Sequence, residues 1–196
     1  MLAVTVDILD DEKVISALRK MNSYEAPKAL RLALRDTAKK APPRLSKEIR
    51  KEYTLTAKRV KRDIDIQARE GGYKYLIKTS YRPITVNNYK MRPSPWRRMP
   101  QGGVGYSIFK GRKEFVKNGF VGTAAQGVNL PFVRLSKERY PIKPIYGPSI
   151  GAITTGDSLY GDTIMNRVEK ELVGSLKAAI NRRFGAFLRG YGRVTG

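Results

Sequence analysis

The spacing of apolar residues changes twice along this chain, from helical to alternating and back, and that order constrains the fold more than any single motif. Leu2-Ala-Val-Thr-Val-Asp-Ile-Leu9 alternates, with Leu2, Val4, Val6 and Ile8 on one face, and predicts a half-buried strand. Asp10 or Asp11 then caps a helix in which Val14, Ile15, Leu18 and Met21 fall at helical spacing. Between Glu25 and Lys40 the set Ala26, Ala29, Leu30, Ala33, Leu34, Thr37 and Ala38 makes one stripe, and Lys28, Arg31, Arg35 and Lys39 fill the rest of the circumference. Pro42-Pro43 ends or kinks this helix, because proline lacks the amide donor and clashes with the preceding turn. Helical spacing resumes at Leu45, Ile49 and Tyr53, and a short basic helix over Thr56–Arg62 follows, with Thr54 or Thr56 as its cap.

From Ile64 the period is two. Ile64–Ala68 and Tyr73–Thr79 flank Glu70-Gly-Gly72, which reads as a hairpin with glycine in its turn. Ile84–Val86 continues irregularly, and residues 87–104, with Pro93, Pro95, Pro100, Gly102 and Gly103, read as a long loop. Gly105–Lys110 and Phe120–Ala124 are expected to pair through the basic turn Lys110-Gly-Arg-Lys113, and Pro131–Leu135 is a further strand. Pro141, Pro144 and Pro148 hold residues 140–150 extended, because each fixes its own φ and disfavours helix in the residue before it. The helical period returns over 157–189 through Ile164, Val168, Leu172, Leu176, Ile180, Phe184 and Phe187, with Gly174 and Gly185 as weak points. The expected class is α+β: an N-terminal strand and helices, a central antiparallel meander with a long loop, and a long C-terminal amphipathic helix. Residues 1–196 are taken as one domain without internal repeats.

Charge narrows the function. The chain carries 39 Lys and Arg against 17 Asp and Glu, a formal balance of +22. Between Gly71 and Gly119 eleven basic residues meet a single acid, Glu114, so those bases face solvent, a polyanion or another subunit. Without His or Cys the chain cannot build a Cys/His zinc site, a thiol nucleophile, an imidazole base or a disulfide. Gly102-Gly-Val-Gly105 lacks the dinucleotide-binding spacing and its βαβ context, and no Gly-Lys-Ser/Thr follows a glycine-rich run. Asp63 and Asp65 alternate with Ile64 and Ile66 as in a strand, and Asp10 and Asp11 suit a helix cap, so neither pair reads as a metal or acid–base site. No enzyme and no cofactor is expected. Met1–Asp10 has neither a basic leader nor a small-residue cleavage site, which predicts a protein that is not exported. The apolar runs fall far short of the ~20 residues that span a bilayer.

The basic loops admit three readings. Arg97, Arg98, Lys110, Arg112 and Lys113 offer charges to nucleic-acid phosphates, with Trp96 nearby. Trp96 and Met99, with Tyr140, Pro141, Pro144, Tyr146 and Pro148 of the extended arm, are residues suited to a protein interface, where proline reduces the entropy lost on docking. The third reading is a solvated face. If the first holds alone, the chain is a sequence-independent nucleic-acid-binding protein whose footprint also takes in Lys58-Arg-Val-Lys-Arg62.

The order of these features resembles the prophage minor tail protein Z family of long-tailed phages. The resemblance lies in Ala29–Lys51, which includes Arg44-Leu-Ser-Lys47, in Arg82-Pro-Ile-Thr-Val86 and in Gly103–Lys110. It continues through Gly119-Phe-Val121 and Val133–Arg139 to Tyr140–Ile150, where Pro-Ile-x-x-Ile-x-Gly-Pro-Ser is the most specific element. It implies a virion structural protein, made in the host cytoplasm, that completes the tail at its head-proximal end so that tail and filled head join. It implies no catalysis, and it implies a six-fold ring of copies that contacts the tail terminator or other neck and tail-tube proteins. Duplex DNA passing through the lumen of such a ring would give the basic surface a use.

Overall fold

Ala26, Ala29 and Ala33 place a strip of methyl groups along one side of helix α1 (Glu25–Ala38), and that strip lets another helix approach closely. The computed structural model of the protein describes residues 25–92, 103–124, 127–155 and 159–194, with backbone alone for 186–194. These residues divide into two compact units, one holding 25–45, 64–79 and 165–194, the other 46–63 and 80–164.

In the first unit, α1 meets the long helix α5 (Gly161–Val194) through a core of Ala33, Leu176, Ala179, Ile180 and Phe184, with Ala26, Ala29, Leu30 and Leu34 packed around it. Each buried Leu, Ile or Phe there contributes about 1.5–3 kcal/mol. The buried Thr37 hydroxyl donates to the Ala33 carbonyl at 2.9 Å, so it costs nothing unsatisfied. At the edge, Arg183 pairs with Asp36, and Arg44 lies 3.3 Å from the Glu171 carboxylate. Strands β1 (Ile64–Arg69) and β2 (Lys74–Thr79) form the expected hairpin, in register from Ile64↔Thr79 to Arg69↔Lys74. Its turn takes three successive residues to positive φ, Glu70 at 51°, Gly71 at 64° and Gly72 at 93°, which explains two glycines there.

Pro42 and Pro43 lie in the first turn of α2 (Ala41–Glu52), where an amide has no intrahelical partner, so they separate two helices and break neither. The second unit begins within α2. There Ile49, Tyr53, Leu55, Val60, Ile84, Val86, Val104, Ile150, Ile153 and Ile164 are buried. Tyr53, Phe109 and Tyr160 cluster with ring centroids 4.9, 5.8 and 6.4 Å apart. Helix α3 (Ala57–Arg62) is capped by Thr56, whose hydroxyl accepts from the Arg59 amide at 3.3 Å. The other strands are β3 (Ile84–Thr85), β4 (Lys90–Arg92), β5 (Val104–Ser107), β6 (Glu114–Val116), β7 (Gly119–Thr123), β8 (Asn129–Arg134), β9 (Ile142–Pro144) and β10 (Tyr146–Gly147). They pair antiparallel as β10–β3, β4–β5–β6 and β7–β8–β9, and helix α4 (Ile150–Ile153) precedes α5.

The class is α+β with small antiparallel sheets and a long C-terminal helix, as the periodicities predict. Several details differ. The strand over 105–110 does not pair with 120–124: β5 takes β4 and β6 as partners, and β7 takes β8. The segment from 87 to 104 is not wholly a loop, since it contains a 3-10 turn at Val86–Asn88 and strand β4. Helix α5 begins at Gly161, not 157, and runs through both Gly174 and Gly185. The expected strand at 2–9 and helix at 12–21 lie outside the described residues, as do Trp96, Arg97, Arg98 and Met99. Among the described residues no helix is long and apolar enough to cross a membrane.

Candidate functional site

The basic turn Lys110-Gly-Arg-Lys113 is held from several sides. Gly111 sits at φ 78°, where a side chain would be strained. The Lys110 amide donates to the Glu52 carbonyl at 2.8 Å, and the Ser107 hydroxyl lies 2.6 Å from the carbonyls of both Phe109 and Arg112. Thr54 joins the turn to β4: its amide donates to the Ile108 carbonyl at 3.0 Å, its hydroxyl bonds to the Ser107 carbonyl, and the same oxygen accepts from the Lys90 amide at 3.1 Å. Thr54 therefore serves as a strut, and Thr56 takes the cap.

This scaffold shapes a groove of about 280 Å³ lined by Lys90, Arg92, Lys110 and Lys113. The four bases are exposed, as is Arg112, and none of the five forms an ion pair among the described residues. Alternation along β4 puts Lys90 and Arg92 on one sheet face, beside Ser107 and Gly105 of β5. Among the described residues the one carboxylate at the groove is Glu114, which lies opposite Tyr106 in the ladder and accepts from its hydroxyl. Burial first, and that bond second, push the Tyr106 hydroxyl up to about 12. The sequence singled out Lys110, Arg112 and Lys113 but missed Lys90, because a three-residue strand next to prolines shows almost no alternation.

The proline arm runs as strands β9 and β10 and then enters helix α4 at Ile150, and its backbone is used inside the unit. Strand β9 pairs with β8, Ile145 donates to the Pro131 carbonyl at 2.9 Å and accepts from the Val86 amide at 3.1 Å, and β10 pairs with β3. Tyr89 donates to the Pro148 carbonyl at 2.7 Å, and Ser149 caps α4 by accepting from the Ala152 amide at 3.0 Å. The arm is therefore no free strap. Its side chains differ in availability: Tyr140 is 64 % and Tyr146 49 % exposed, Pro141 is exposed, and Pro144 and Pro148 are half-buried. Nearby, the Arg134 guanidinium sits 4.9 Å from the Phe120 ring centroid, which stacks on Phe132.

The run Lys58–Arg62 is not uniformly basic surface. Val60 is buried, and Arg59 is drawn 2.5 Å from Asp63, leaving Lys58, Lys61 and Arg62 exposed. Asp65 bonds the Gln67 amide at 2.9 Å. Among the described residues no three carboxylates gather as a metal site.

No curated protein and no solved structure matches the chain. The family described as prophage minor tail protein Z (GPZ) matches residues 10–189, which takes in both units and the Gly147-Pro148-Ser149 clasp. The chain therefore belongs to the prophage minor tail protein Z family, structural proteins of the phage tail.

Proposed function

We propose that the protein completes the phage tail at its head-proximal end, so that the tail joins a filled head, and that it does so as a ring of copies rather than by catalysis. The family match across residues 10–189 carries this reading. Six-fold closure suits a component of a tubular tail, and heterologous contacts between copies close such a ring. The partners in this reading are further copies, the tail terminator and other neck or tail-tube proteins. The place of action is the virion tail and neck, after assembly in the host cytoplasm.

The exposed aromatics on the stitched arm support it. Tyr146 stands on the paired strand β10, and Tyr140 precedes Pro141, whose carbonyl accepts from the Leu135 amide at 3.2 Å, so little backbone order is lost when they dock against a neighbour. Deleting the gene from its phage should yield filled heads and full-length tails that stay apart, and supplying the protein in trans should restore joining. Light scattering of the purified chain should give about 133 kDa, six times the 22.1 kDa chain. Infectious phage at the undeleted titre would overturn the proposal.

A further inference from the structure

We propose that the groove between β4 and the 110–113 turn binds the phosphate backbone of duplex DNA without regard to sequence. Three observations converge on it. First, Lys90, Arg92, Lys110 and Lys113 line one groove and form no ion pair among the described residues, so their field is uncompensated locally. Second, the groove is rigid before anything binds. The Thr54 strut, the Ser107 hydroxyl and the Lys110–Glu52 backbone bond fix both walls, which reduces the ordering cost of binding. Third, the spacing fits a phosphate ladder. Residues i and i+2 of a strand are about 6.6–6.8 Å apart on one face, so Lys90 and Arg92 can each meet a different phosphate of one DNA strand, where successive charges are offset by about 3.4 Å along the axis and further by the winding of the backbone.

Four bases against one carboxylate among the described lining residues suit a polyanion, and three of the four are lysines, which hold a phosphate as point charges from any direction. Among the described residues no Asn or Gln lines the groove to read base edges, which favours binding independent of sequence. Among the described residues the only lining carboxylate is Glu114, which stands opposite Tyr106 in the ladder.

The test uses the full-length chain and 30-bp duplexes of two unrelated sequences, followed by fluorescence anisotropy between 50 and 200 mM salt. If all four bases neutralise one phosphate each, the log–log salt slope is about −3.6, and affinity falls about 150-fold over that range. The triple variant Arg92→Gln, Lys110→Gln, Lys113→Gln should leave a slope near −0.9 and a fall of about 3.5-fold. The double variant Lys170→Gln, Lys177→Gln removes exposed charge from α5 and should leave the slope within about one unit of wild type. Restoring the three positions as Arg92, Lys110→Arg, Lys113→Arg should recover binding, and circular dichroism should be unchanged throughout. Equal losses from the groove and α5 variants overturn the site, as does a lack of binding at 50 mM salt. Poly-glutamate that binds as tightly as DNA and is lost in the same triple variant overturns DNA as the occupant. Binding is read on the free protein, so this result stands apart from whether the gene deletion blocks head–tail joining.

Discussion

Gly147→Ala should destabilise the protein, and Gly174→Ala should stabilise it, although the chemical change is the same. A methyl group at Gly147 would sit 2.8 Å from Cε2 and 3.1 Å from Cζ of Tyr89, and 3.3 Å from Cδ1 of Ile108. Carbon atoms prefer 3.5–4.0 Å, so the ring must shift by about 0.7 Å. It has nowhere to go: Tyr89 is 5 % exposed and its hydroxyl is tied to the Pro148 carbonyl at 2.7 Å. Overpacking of this kind costs about 1–3 kcal/mol, partly offset by about 0.4–1 kcal/mol from a less flexible unfolded chain. The net loss is about 1–2 kcal/mol, or a Tm lowered by about 2–8 °C at this chain length. Gly174 lies exposed inside α5, and a methyl group added there would have no atom within 4 Å, so alanine gains about 0.5–1 kcal/mol in helix propensity. Urea unfolding followed by circular dichroism reads both signs. Tyr89→Leu should remove most of the added cost of Gly147→Ala in a double-mutant cycle. Two shifts of the same sign, or costs at 89 and 147 that simply add, would refute the argument.

Two further predictions concern titrating groups. Asp36 is held below its ordinary value of 3.8 chiefly by its hydrogen bond with Arg183, against the opposing effect of burial. A lowered folded-state value adds stability above the unfolded value that is lost as pH falls through the folded one. Asp36→Asn should therefore cost about 1 kcal/mol at pH 7, and the gap to wild type should close below pH 3.8 in acid unfolding curves. Tyr106, raised to about 12, contributes stability that is present below pH 10 and is lost as pH rises through 12. The tyrosinate absorbance difference between wild type and Tyr106→Phe should centre near 12, and a centre at 10 would remove both its burial and its bond to Glu114 as causes.

The helices and the first hairpin were legible because each has a local signature. Alanine and leucine at helical spacing mark α1, Thr56 marks the start of α3, and Gly71-Gly72 marks a turn whose positive φ values need them. The β4–β5–β6 sheet was not legible, because Glu114-Phe-Val116 is too short to show a period and its partner is chosen by tertiary packing. The same limit hid Lys90, whose alternation with Met91 and Arg92 gains meaning only once Thr54 fixes β4 to the turn. Prolines announced an extended arm but could not say that its carbonyls and amides would be taken up by β3, β8 and Tyr89.

That last finding divides the arm's residues into two groups with opposite mutational signatures. The Gly147-Pro148-Ser149 segment holds the second unit together, so Ser149→Ala should cost about 1 kcal/mol of folding stability through the lost cap on α4. Any contact with a neighbouring copy must instead come from side chains that the sheets leave outside, of which Tyr140 and Tyr146 are the largest on the arm. Replacing an exposed tyrosine changes folding stability by about 0.5 kcal/mol or less, whereas loss of an aromatic anchor from an interface costs about 2 kcal/mol, near 30-fold in dissociation constant. Tyr140→Ser and Tyr146→Ser should therefore leave the urea midpoint in place while raising, each by about 30-fold, the protein concentration at which the light-scattering mass exceeds one chain. If Ser149→Ala were to weaken association at full folding stability, or the tyrosine variants to unfold the chain without touching its assembly, the division between clasp and contact surface would be wrong.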